Sequence, residues 1–141
     1  LTGKTCPSGC LTDTWAIRYD DYPSADTFSH RNGDLENEEY AEDIYVGYRY
    51  FETFAKDKVR YPFGYGLSYT EFEMHLAGMR LEKSTVEISV DVKNKGEAYS
   101  GKEVVQIYVS CPDSELKKEA QRLTSFAKTK DLKPGEDCIT I

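Results

Sequence analysis

One run of this chain alternates apolar and polar residues strictly, the mark of a half-buried strand. In "TVEISVDV", Val86, Ile88, Val90 and Val92 fall on one side, and Glu87, Ser89 and Asp91 on the other. Side chains of a strand point to opposite faces in turn, so this pattern predicts a strand with one face buried. "EVVQIYVS" reads as a second strand from its wealth of β-branched residues, with Val105, Ile107 and Val109 sharing a face. Asn94 to Gly101 supplies a polar loop between the two runs. Cys111-Pro112 ends the second, because proline removes a ladder donor.

The neighbouring segments are less decided. "TEFEMHLAGMRL" alternates through Phe72, Met74 and Leu76, yet Phe72, Leu76 and Met79 also fit a helix. Gly78 would cost a helix about 1 kcal/mol and suits a bulge, so a strand is expected. In "ELKKEAQRLTSFAKTK", Leu116, Ala120, Leu123 and Ala127 form a helical stripe. Lys133-Pro134-Gly135-Glu136 carries the Pro-Gly pair of a type II turn, and "DCITI" opens another strand. Residues 1–43 are polar and turn-rich and read as irregular chain, whereas the texture from Ile44 onward reads as β. Short strands separated by turn signals predict a mainly β protein built as a sandwich, behind an irregular N-terminal extension.

Charge and composition exclude several functions. The net charge of −7 opposes nucleic acid and anionic membrane surfaces, which need clustered Lys and Arg. The four cysteines are too few for a disulfide scaffold of this length. Cys6 and Cys10 flank a Pro-Ser-Gly turn, and a zinc site would need two more ligands from His30, His75 or distant cysteines. Four reduced thiols are expected, and Leu1-Thr2-Gly3-Lys4 is no signal peptide, so a cytoplasmic setting is expected. Asp34, Glu36, Glu38 and Asp43 lack the spacing and central glycine of a calcium loop. The acid-rich run from Asp20 to Asp43 reads as solvated surface. His75 lies on the polar side of its strand, and no G-x-S-x-G elbow exists. No metal, cofactor or catalytic residue is expected.

The remaining segment is the most unusual. "YPFGYGLSYTEF", Tyr61 to Phe72, packs five aromatics and two glycines into twelve residues. It lacks the third glycine of a dinucleotide fingerprint and is too short for a membrane, which needs about 20 apolar residues. With "EDIYVGYRYFETF" before it, and "VKNKGEAYSGKEVVQIYVSCP" and "LTSFAKTKDLKPGE" after it, this segment resembles the carboxyl-terminal region of glycoside hydrolase family 3, the β-glucosidase family. "PSGCLTDTWA" looks like the end of that family's α/β sandwich domain, with Cys10 where the family pattern has lysine.

The resemblance implies an immunoglobulin/fibronectin type III-like β-sandwich over 71–141, truncated before its last strands. It implies a junction segment at 44–70 and the tail of an α/β domain at 1–43. It favours extended chain over the helical stripe of Leu116 to Ala127. Tyr45, Tyr48, Arg49, Tyr61, Phe63, Gly64, Tyr65, Gly66 and Tyr69 become candidates for a packed domain junction. The two glycines would let the backbone turn sharply, with positive φ open to them, and tyrosine would bury a ring while keeping a hydroxyl. A sugar-stacking platform is the competing use of the rings. Arg49 would clamp a carboxylate or stack on tyrosine.

The family's two carboxylates, nucleophile and acid/base, belong to motifs absent here. Thr12-Asp13-Thr14-Trp15 is a decoy for the nucleophile motif. The implied function is a non-catalytic accessory domain, inactive alone, whose partners are the parent's catalytic domains. Self-association through an open sheet edge is expected of the fragment. A self-standing carbohydrate- or protein-binding module is the alternative.

Overall fold

The computed structural model describes residues 2–112 and 115–140. The chain runs β1 (Trp15–Ala16), α1 (Tyr48–Phe54), β2 (Val59–Tyr61), β3 (Phe72–Glu82), β4 (Thr85–Asn94), β5 (Val104–Val109), β6 (Arg122–Lys128) and β7 (Asp137–Thr140). Two compact units emerge. The first comprises Leu1–Gly9, Gly66–Ile107 and Leu123–Ile141; the second comprises Cys10–Tyr65 and Tyr108–Arg122.

The first unit carries the sandwich. One sheet has the order β3-β4-β7, and β5 pairs with β6 in the other. Val90 and Val92 of β4, Val105 of β5 and Leu132 form the buried centre, with Phe72, Ile88, Ile107 and Cys138 packed around it. Each such burial contributes about 1.5–3 kcal/mol. The expected strand over 72–81 is present, and the helical alternative is not.

The register sets Met74 opposite Val92 and Leu76 opposite Val90. It then slips between Leu76 and Gly78, setting Met79 opposite Ile88 and Leu81 opposite Val86. Directly paired residues share a face. The expected bulge at Gly78 therefore keeps Met79 and Leu81 on the same face as Leu76, where an uninterrupted strand would have turned them over. This face is only half covered. Val92 is fully buried, whereas Leu76, Met79 and Leu81 are 67%, 72% and 73% exposed.

The turn Lys133 to Glu136 forms as the Pro-Gly pair predicts. Glu136 N donates to Lys133 O at 2.9 Å, and Gly135 has φ +76°. The strand opened by "DCITI" is β7, paired to β4 from Lys93↔Asp137 to Val90↔Thr140; Ile141 lies outside the described residues. Arg122–Lys128 is extended, as the resemblance implied, and the stripe of Leu116, Ala120, Leu123 and Ala127 is not helical.

One expectation is corrected. The texture from Ile44 onward is not uniformly β, because Tyr48–Phe54 is a helix. Gly47 starts it with φ +58°, and Phe51 turns inward to 1% exposure. Four aromatics in seven residues look like strand by propensity; burying Phe51 against Tyr22 outweighs that preference.

Candidate functional site

The second unit is held together by aromatic edges. Phe51 meets Tyr22 in a T-shaped contact at 5.5 Å, and Tyr45 meets Phe54 at 4.8 Å. Tyr48 touches Phe63 at 5.0 Å and Tyr108 at 5.8 Å. Trp15 stands edge-on to Tyr61, which in turn tilts against Tyr65. Such ring pairs contribute about 0.5–1.5 kcal/mol beyond the area they bury. Burial, first, and then the neighbouring Tyr48 and Glu52 push the Tyr108 phenol above its usual range, so it remains a neutral hydrogen-bonding group.

The aromatic-glycine segment is pinned by backbone. Gly64 N donates to Leu11 O, and Leu11 N donates to Tyr65 O, both at 2.8 Å. Tyr65 N closes a turn onto Pro62 O at 3.0 Å, with Gly64 at φ +83°. This is the sharp turn expected of Gly64. Gly66 makes no use of the positive φ open to it. Tyr61 and Phe63 are half-buried, while Tyr65 and Tyr69 keep 39% and 42% exposure. Tyr61 is engaged by rings on two sides, which is unlike a flat platform.

Arg49 lies on α1 with its guanidinium 6.0 Å from the Tyr48 ring centre, one of the two kinds of contact considered for it. Its Nη1 also reaches Ile44 O at 3.5 Å. Thr53 Oγ1 donates to Arg49 O and accepts from Ala120 N, tying α1 to the 115–122 segment. Beside it, the buried Glu119 pairs with Arg122, whose hydrogen bond holds the carboxyl below its ordinary range. Tyr45, Tyr50, Phe54, Pro112 and Leu116 line a groove of about 840 Å³.

Several carboxylates are engaged in local structure. Asp13 Oδ1 accepts from Thr14 N at 2.8 Å, and Glu42 Oε1 accepts from Ser24 Oγ at 3.3 Å. Asp34 accepts from the side chain of Asn37 and the amides of Glu36 and Asn37, and these bonds lower its pKa. His30 Nδ1 lies 2.8 Å from Asp34 O, and His75 Nε2 lies 3.3 Å from Glu73 Oε1. Among the described residues no three His, Cys, Asp or Glu side chains converge as metal ligands.

A residue that sequence reasoning placed in a polar loop proves central to the first unit. Asn94 has no exposed surface. Its Oδ1 accepts from Thr70 Oγ1 and Gly96 N, and its Nδ2 donates to Tyr99 O and Leu132 O at 2.9 Å. All the bonding capacity of the amide is used, which is the condition for burying it. A Cβ on Gly96 would lie 2.0 Å from Thr70 Oγ1. The signal was "NKG" at a strand end, where a short amide bonds to the backbone two residues on.

Comparison with known proteins agrees with this architecture. A description of the fibronectin type III-like domain matches residues 103–139. Over 97% of its length the chain is 52% identical to a β-glucosidase of Ruminococcus albus, of which it covers 14%. It is 41% identical to a β-glucosidase of Kluyveromyces marxianus, covering 16% of that protein. The solved structure of a β-glucosidase from Paenibacillus barengoltzii superposes with a TM-score of 0.91 at 50% identity, over 99% of this chain and 15% of that one. The chain thus spans about a sixth of the proteins it matches, within their carboxyl-terminal region. It belongs to glycoside hydrolase family 3, as the fibronectin type III-like accessory region of that family's β-glucosidases.

Proposed function

We propose that this region serves, without catalytic groups of its own, a parent enzyme that hydrolyses β-glucosides or related O-glycosides. The reaction would be the retaining one, with two carboxylates supplied by the parent's other domains. The match along nearly the whole chain to one region of β-glucosidases carries this reading. Tyr45, Tyr48, Arg49, Tyr61, Phe63, Gly64, Tyr65, Gly66 and Tyr69 would pack against the catalytic domains. Half-exposed rings such as Tyr65 and Tyr69 suit that role, because tyrosine is enriched at interfaces.

The test is release of nitrophenol from an aryl β-glucoside. The chain alone should give none above buffer, and the parent enzyme should give turnover. Turnover by the chain alone, abolished by Asp13→Asn, overturns the reading. The same half-exposed tyrosines favour a second reading, a sugar-binding module. Saturable heat with cellobiose, lost in Tyr65→Ala, would establish it.

We also propose that the isolated chain self-associates. The half-covered inner face at Leu76, Met79 and Leu81 supplies the drive, and an open sheet edge supplies ladder groups. Sedimentation across a concentration series should show a growing species; a strict monomer at high micromolar concentration sinks the proposal.

A further inference from the structure

The chain has three asparagines in three unlike settings, and one is placed to react with its own backbone. Asn94 is buried with its amide fully bonded. Asn37 is exposed but spends Nδ2 on Asp34 and is followed by Glu38, which carries a side chain where glycine would leave the next amide open. Asn32 is exposed and followed by Gly33, itself exposed and with open space where a Cβ would stand. Gly33 has φ +83°, and Asn32 Oδ1 accepts from Asp34 N at 3.1 Å. That Asx turn holds the side-chain carbonyl over the following peptide unit and polarises its carbon.

We propose that Asn32 is a site of spontaneous deamidation through a succinimide. Base in solution removes the Gly33 amide proton, and that nitrogen attacks Asn32 Cγ. A C–N bond forms, the Cγ–Nδ2 bond breaks, and ammonia leaves with a proton. Water then opens the ring. Cleavage at the Cγ side gives aspartate, and cleavage at the main-chain carbonyl gives isoaspartate. The one contact that resists is Gly33 N–H, which donates to His30 O at 2.9 Å. Exposed loop bonds of this kind open locally without global unfolding, so the bond slows the reaction but does not prevent it. The product adds a negative charge beside Asp34, Glu36 and Glu38.

The purified chain is incubated in mildly alkaline buffer, and acidic species are resolved by isoelectric focusing. Tandem mass spectrometry and an isoaspartate-specific methyltransferase then locate the change. Acidic species should accumulate at Asn32 first, slow several-fold in Gly33→Ala, and be absent in Asn32→Gln. Because Gly33→Ala is strained at positive φ, Asn32→Gln is the deciding variant. Equal accumulation in Asn32→Gln, first appearance at Asn37 or Asn94, or no acidic species in the unmodified chain overturns the proposal.

Discussion

The two units solve the problem of cohesion with different chemistry. In the first, strands bring β-branched side chains from two sheets onto Val92 and Leu132, and the one buried amide, Asn94, satisfies every neighbour it touches. In the second, Phe51 is the single large side chain among the described residues with almost no exposure, and rings meet edge to face around it. Alternation builds a core whose members are interchangeable in kind. An aromatic cluster depends on particular pairs at particular angles. The first unit should therefore tolerate conservative apolar exchange, and the second should fail at single positions.

The largest effect that would test this contrast is Phe51→Ala. Removing the ring should cost about 3–5 kcal/mol and remove most of the near-ultraviolet aromatic dichroism, leaving the part from the first unit's Tyr69–Tyr99 pair, while much of the sheet signal persists. Loss of both signals together would break the distinction. Asn94→Ala comes next. It strands the carbonyl of Tyr99, the amide of Gly96 and the hydroxyl of Thr70, and leaves the Leu132 carbonyl with its bond from Gly101 N alone; it should cost about 2–4 kcal/mol, since each unpaired buried group costs about 1–3 kcal/mol. A urea midpoint within error of the unmodified chain would show that the amide is not a latch. Gly96→Ala must displace Thr70 and should cost about 1–3 kcal/mol by the same assay.

Acid should act more weakly. Hydrogen bonds from Lys130 and the Lys133 amide hold Glu136 below its ordinary 4.5, and Lys95 does the same for Glu73. A lowered folded-state pKa means that the unfolded chain binds more protons near that value. The stabilisation is complete above 4.5 and is lost as pH falls through the folded-state values. Melting temperature should be level above that point, decline below it, and decline less in Glu136→Gln. A melting temperature that rises on acidification would contradict the sign. The smallest effect concerns Thr14, whose buried Oγ1 has no partner among the described residues. Thr14→Val should be neutral or stabilise by up to about 1 kcal/mol, because it removes an unpaired hydroxyl without changing shape.

What could be read in advance follows the same division. Val86 to Val92 declared its strand because a period of two is local, and Val104 to Val109 declared its own by β-branched composition. Gly78 declared its bulge because glycine inside a strand has few other uses. The helix at Tyr48–Phe54 could not be read, since seven aromatic-rich residues carry strand propensity and only tertiary burial of Phe51 decides. The stripe of Leu116 to Ala127 misled because periodicity ignores destination. Leu116 ends exposed, whereas Leu123 and Ala127 are half-buried on β6. Asn94 was hidden for the opposite reason: a polar residue after a strand reads as loop, and nothing local reveals that Leu132 will close over it.

The interleaving of the units has a kinetic consequence. The first draws on three separated stretches of chain and the second on two, so the polypeptide leaves one and enters the other four times. Synthesis delivers residues in order, and the first unit's centre needs Leu132 beside Val92, forty residues upstream. Contacts this distant must close long loops before they are rewarded, which slows folding. During that interval the β3–β4 hairpin, whose pairs are near neighbours in sequence, would be the only extensive structure in the first unit, with its apolar face open to whatever else the ribosome has released.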